Sequence, residues 1–172
     1  MSGDVDSSNE LCVSCGICCD GPLFDQAEVF PAEEARVHLL GFSIERRGGK
    51  AYFPLPCRNL CGAACRIYEQ RPTTCRTYKC TTLTALEASE IDRAEAGRRV
   101  AAAKDAVADV RARMLPGESF HEVRERFGHD SSPAPDFVLA MVRWDMAMDR
   151  YFRKPHQQVL GPNPAAARDA AA

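Results

Sequence analysis

Residues 12–19 read CVSCGICC, placing Cys12, Cys15, Cys18 and Cys19 within eight positions. No ordinary hydrophobic core uses thiols at this density, so the segment must fold around something that sulfur binds. All nine cysteines fall between Cys12 and Cys80. In a short secreted chain such a density suggests a disulfide scaffold. Here the opening MSGDVDSSNE is acidic and polar, with neither a basic start nor an apolar stretch, so no secretory signal is expected. The expected compartment is a reducing cytoplasm, where clustered cysteines point to metal or redox chemistry. Nine is also odd, so full disulfide pairing would strand one thiol, whereas two four-ligand sites use eight naturally.

The balance of charge narrows the partners. Lys and Arg number 22 against 24 Asp and Glu, giving a net charge of −2. Neither half is basic, which argues against nucleic acid as a partner. No apolar run approaches the roughly 18 residues of a membrane span, so none is expected.

Hydrophobic patterning changes character near Thr84. Residues 1–10 are polar and aperiodic and are expected to be disordered. PAEEARVHLLG predicts a short helix, with Pro31 in its first turn, Glu33 and Glu34 at its positive end and Gly41 just past its end. FSIERRGGKAYF predicts a hairpin turning at Gly48-Gly49. From residue 85 to Met114 the chain is rich in Ala, Glu and Arg and reads as one long helix, with Val100, Ala103, Val107, Val110 and Met114 along one face. Ser119 and Glu122 form a capping box for a helix carrying Phe120, Val123 and Phe127 and closed by Gly128. A last helix starts near Asp136 and aligns Phe137, Met141, Trp144, Met148 and Phe152. The expectation is an α+β chain: a small, irregular, metal-stabilised cysteine domain over 11–84, with one short helix and a hairpin, then an all-α extension over 85–155. Residues 156–172 are expected to be an unstructured tail. The four histidines lie at no short ligand spacing from a cysteine and read as surface or capping residues.

The first cysteine group, Cys12-x2-Cys15-x2-Cys18, has the spacing that opens the bacterial ferredoxin motif. Gly16 supplies backbone freedom within it. In extended backbone, neighbouring side chains point to opposite faces, so Cys18 and Cys19 are expected to serve different metals, or one a cluster and the other a structural site. The second group is Cys57, Cys61, Cys65, Cys75 and Cys80, which lacks the paired knuckles of a zinc ribbon. Arg58, Arg66, Arg71, Arg76 and Lys79 share this stretch with one acid, Glu69. A four-thiolate site carries about −2, which nearby cations can offset. Arg71 and Arg76, flanking Cys75, are the candidates for that role; solvated surface pairing is the alternative.

Together, CVSCGICC and CRIYEQRPTTCRTYKC make the chain resemble the CxxCxxCC family, the YkgJ-type cysteine-cluster proteins of bacteria described as zinc- or iron-chelating. The first motif matches at Cys12, Cys15, Gly16, Cys18 and Cys19. The second matches at Cys65, Ile67, Tyr68, Glu69, Arg71, Pro72, Cys75, Arg76 and Tyr78, with Cys57 upstream and Cys80 closing it. The resemblance spans about residues 11–82. It implies an eight-cysteine metal-ligand set, Cys12, Cys15, Cys18, Cys19, Cys57, Cys65, Cys75 and Cys80, with Cys61 outside the pattern. It also implies either zinc or an iron–sulfur cluster, of which 4Fe–4S is the leading form. Flagellin lysine N-methylases are relatives with this cysteine pattern, but the chain shows no glycine-rich nucleotide fingerprint for a methyl donor. Three functions follow as expectations: an iron–sulfur protein serving electron transfer, redox sensing or cluster-dependent chemistry, with a protein or redox partner; a zinc-stabilised protein-interaction module; and a protein-modifying enzyme of the methylase type.

Overall fold

The computed structural model describes residues 4–157, with side chains described from Glu10 onward. It is an α+β chain in two compact units, one formed by Cys12–Lys79 and the other by the chain up to Leu11 together with the chain from Cys80 onward. The chain therefore changes unit twice, between Leu11 and Cys12 and between Lys79 and Cys80.

The cysteine-rich unit is built on a three-stranded antiparallel sheet. Strand β1 (Gln26–Val29) pairs with β3 (Lys50–Pro54), which pairs with β2 (Glu45–Arg47), in the order β1-β3-β2. The predicted hairpin is present: Arg47 faces Lys50 across Gly48 (φ 57°) and Gly49 (φ 79°). Positive φ at both turn residues is what a two-residue hairpin matching strand twist requires, and glycine adopts it without penalty. Alternation along β3 buries Ala51 and Phe53 while Lys50 and Pro54 stay exposed.

A 3₁₀ turn over Pro31–Glu33 leads into the predicted helix, α2 (Glu34–Leu39). Gly41 ends it at φ 83°, with its N–H donating to the His38 carbonyl and that of Phe42 to the Val37 carbonyl, the paired bonds of a Schellman cap. Val37 and Phe42 thereby join Val29, Ala51 and Phe53 in a small core, where the Phe42 and Phe53 rings lie 4.4 Å apart. Cys57 and Cys75 pack against this core. A short hairpin, β4 (Leu60–Cys61) with β5 (Ala64–Cys65), and helix α3 (Thr73–Thr77) complete the unit.

One expectation about the N-terminal region is revised. Residues Asp4–Cys15 form a helix, α1, instead of a disordered segment to residue 10. Asp, Ser and Asn dominate its first turns and mask it as a polar tail, although a helix terminus accommodates acids readily. Gly16, at φ 75°, stops it. Residues 1–3 and the expected tail from 158 lie outside the described residues.

The other unit is helical: α4 (Thr81–Glu87), α5 (Arg93–Arg111), α6 (Phe120–His129) and α7 (Pro135–Tyr151). The single helix expected over 85–114 is in fact broken. Ser89 takes φ 57°, and the Asp92 side chain accepts the Glu95 N–H to cap a new helix. Asp92-x-x-Glu95 was the sequence signal for that start. Met114 consequently lies beyond α5, half-buried, while Val100, Ala103, Val107 and Val110 are buried as expected. The Ser119–Glu122 capping box is formed, and α6 runs one residue past Gly128, to His129. On α7, Phe137, Met141, Trp144 and Met148 are buried, as is Phe152 just after it. Arg153, only 4% exposed, donates to Asp149 (2.7 Å) and to Asp145 (3.0 Å), which also accepts from Arg124 at 2.9 Å. Glu10 of α1 forms an ion pair with Arg93. No described helix is long and apolar enough to cross a membrane.

Candidate metal centre

Cys12 and Cys15 occupy the last turn of α1, three residues apart and so on one helix face. Next, Gly16 turns the chain, and the Cys19 N–H closes a turn on the Gly16 carbonyl at 2.9 Å. Cys18 and Cys19 thus sit in a turn, and the extended backbone assumed for their divergence is absent. Gly16 is required twice over. Its φ of 75° disfavours a side chain, and an added Cβ would come within 3.1 Å of Ala63 Cα and 3.2 Å of its carbonyl oxygen. That close approach seats the CGICC turn on the β4–β5 hairpin, whose second strand carries Cys65. A further backbone bond, Cys57 N–H to the Cys19 carbonyl at 2.7 Å, ties the turn to the segment after Pro56.

Helix α3 delivers Cys75, and its placement depends on a residue that the spacing of cysteines does not reveal. Glu33, 8% exposed, accepts the Thr73 N–H with both carboxylate oxygens at 3.0 Å and the Thr73 hydroxyl at 3.0 Å. Arg36 adds an ion pair to it at 2.7 Å. The Thr74 hydroxyl donates to the Glu28 carbonyl at 2.6 Å, fixing α3 to β1. Burial alone would raise the Glu33 pKa, but the Thr73 and Arg36 hydrogen bonds outweigh it and hold the carboxyl below its ordinary range. A carboxyl with a depressed folded-state pKa stabilises the fold above its unfolded pKa of about 4.3 and loses that contribution as pH falls through the folded value. Glu33→Gln is expected to destabilise the cysteine unit by about 1.5–3 kcal/mol, the worth of hydrogen bonds to a charged group. Urea unfolding at neutral and acid pH checks this, because the difference between wild type and variant should shrink as the wild-type carboxyl protonates.

The thiols fall into distinct environments. Cys19, Cys57, Cys65 and Cys75 form a set in which charge on one is felt by others. Burial, reinforced by Cys75, Cys57 and Cys65, pushes the Cys19 thiol up to about 12. Burial with Cys57 and Cys65 does the same to Cys75, also to about 12. Cys57 is raised by burial and by Cys65. Arg71 is the cation that opposes the rise at both Cys19 and Cys75. Its guanidinium stacks on the Tyr68 ring at 3.5 Å and its Nε donates to the Tyr68 carbonyl at 2.7 Å, so its position is fixed. Arg76, by contrast, is exposed and donates to the Thr73 hydroxyl at 3.4 Å.

The remaining cysteines are placed differently. Cys12 acts electrostatically on Tyr68, and Cys15 is buried. Cys18 is half-buried and Cys61 is exposed at the end of β4. Cys80 lies in the helical unit at the N-cap of α4, its Sγ accepting the Leu83 N–H at 3.4 Å. No cysteine is in a disulfide among the described residues, which include all nine.

Four thiols close enough to feel one another's charge, two of them also influenced by the fixed Arg71 cation, match a soft or borderline metal partner. Bound metal charge is what would make thiolate forms stable in such a setting. Among the described residues, no three Cys, His, Asp or Glu side chains already converge at single-ion distances.

Comparison with known proteins places this arrangement. No curated protein and no solved structure matches the chain. The CxxCxxCC family, described as a "putative zinc- or iron-chelating domain", matches residues 11–99. That span is just over half of the 172 residues and reaches through α4 into the start of α5, beyond the two cysteine motifs. The chain therefore belongs to the CxxCxxCC family, and its clustered cysteines are those of a zinc- or iron-chelating domain.

Proposed function

We propose that the chain is an iron–sulfur protein whose cluster is held by Cys19, Cys57, Cys65 and Cys75 and serves electron transfer or redox sensing. The observation that carries this reading is that one small region gathers the four thiols: Cys57 and Cys75 pack on the same core, the Cys57 N–H bonds the Cys19 carbonyl at 2.7 Å, and Gly16 seats the Cys19 turn on the hairpin that carries Cys65. Around one zinc ion, four sulfurs stand about 2.3 Å from the metal. The cysteines lack the paired C-x2-C knuckles of a zinc ribbon, and Cys12-x2-Cys15-x2-Cys18 has ferredoxin-like spacing, which favours iron over a single zinc ion. A 4Fe–4S cluster supplies one-electron chemistry when bound. The chain's own part is to fix the sulfurs through Gly16, the Cys57–Cys19 backbone bond and the Glu33–Thr73 clamp. Arg71 offsets cluster charge from a fixed stacked position.

Anaerobic purification tests the assignment directly. The expected protein is brown, with iron and acid-labile sulfide in equal amounts. A colourless protein carrying stoichiometric zinc and no labile sulfide would overturn the iron reading and leave a zinc-braced module in its place.

A further inference from the structure

Three of the four thiols assigned to the cluster are followed directly by an arginine: Cys57 by Arg58, Cys65 by Arg66 and Cys75 by Arg76. Neighbouring Cα atoms lie about 3.8 Å apart, so each of these cations is tethered beside the metal site, and all three are exposed. Cations on α2 and the sheet are treated differently: Arg36, Arg46, Arg47 and Lys50 each pair with a glutamate. Among the described residues, Arg58, Arg66 and Arg76 have no carboxylate partner. Arg58 donates to the Gly41 carbonyl and Arg76 to the Thr73 hydroxyl, neutral acceptors that leave the charge uncompensated. The Arg66 N–H donates to the Asn59 carbonyl at 2.8 Å, which sets Arg58 and Arg66 on adjacent segments.

We propose that these arginines form the docking rim for a protein partner with an acidic face, which meets the chain over its metal site. The proposal rests on the electron-transfer reading above, because electrons cross only short gaps and a carrier must approach the cluster closely. An exposed arginine without a carboxylate stays hydrated in the free protein and gains a partner on association. Three such charges speed and orient the encounter while adding little lasting affinity. That balance suits a transient redox contact, whose interface is small. The chain carries −2 overall, so its attraction for anions is confined to this rim. Such a rim fits a small acidic patch better than the continuous phosphate backbone of nucleic acid.

Flavodoxin, a small acidic electron carrier, serves as the probe in a thermophoresis titration against the full metal-loaded chain. Binding should be about tenfold tighter at an ionic strength of about 0.01 M than at about 0.15 M. Arg58→Gln, Arg66→Gln and Arg76→Gln should each weaken it by about twofold, and together by about tenfold. Lysine at all three positions keeps the charge and should hold binding within about twofold of wild type. Arg46→Gln, Arg47→Gln and Arg98→Gln together lower the net charge equally, away from the rim, and should leave binding unchanged. Metal content at the wild-type level shows the cysteine unit intact in each variant. Electron exchange is read separately by stopped-flow absorbance, so a colourless zinc protein that still binds through the rim would end the iron reading and leave the docking surface standing. The proposal is overturned by a wild type that ignores flavodoxin at low salt, by equal weakening in the rim and control variants, or by tighter binding of a short DNA duplex than of flavodoxin.

Discussion

Cys75→Ser is expected to strip the protein of the metal held by the four-thiol set, whereas Cys61→Ser should retain the wild-type content. Cys75 is coupled to Cys19, Cys57 and Cys65 and packs against the Phe53 core, while Cys61 is exposed at the end of a two-residue strand. Metal binding to structural thiolate sites is largely folding free energy, with apparent values of about 10–16 kcal/mol for zinc-finger peptides. Losing one of four ligands should therefore leave the 12–79 segment protease-sensitive. Serine keeps the volume close to that of cysteine, so the loss reports ligation more than packing. Metal analysis and limited proteolysis measure both effects, and equal metal content in the two variants would refute the assignment of Cys75.

Arg153→Ala should have the next largest effect, in the helical unit. The Arg153 guanidinium joins Asp145 and Asp149, and all three are buried. Removing one member of a buried ionic group costs about 3–5 kcal/mol, because the remaining charges lose compensation without regaining water. Trp144, the chain's one tryptophan, is 1% exposed and stacks under Arg124 at 4.2 Å. Its emission during urea unfolding reports this unit, and a midpoint unchanged from wild type would show the ionic group to be dispensable.

The elements legible in the sequence were those set by local chemistry. Gly48-Gly49 demanded a hairpin, Pro31 and Gly41 bracketed a helix, and Ser119 with Glu122 announced another. The α7 stripe was equally plain, since five large side chains at helical spacing leave little choice. Features fixed by distant partners were not legible. Strand β1 is four residues of QAEV with no alternation, and it exists because β3 pairs with it some 25 residues later. Glu33 reads as a helix-start acid, yet its main partner is Thr73, 40 positions away. The selection of Cys19 for the coupled set depends on the Gly16–Ala63 contact and the Cys57 backbone bond, neither visible in the spacing of cysteines. The family pattern named the sulfurs but could not divide them into groups.

The double change of unit, at Leu11–Cys12 and again at Lys79–Cys80, makes the cysteine domain an insertion within the helical one. A folded insert has ends of fixed separation. When it is unfolded, the helical unit must close a loop of 68 residues, counting 12 through 79, to keep the Glu10 segment against Arg93. Closure entropy for a flexible loop of that length is about (3/2)RT ln n, or roughly 4 kcal/mol. Metal loading in one part of the chain would thus be registered in another as tethering entropy, felt first at the N-terminal helix, without any side chain having to carry the signal.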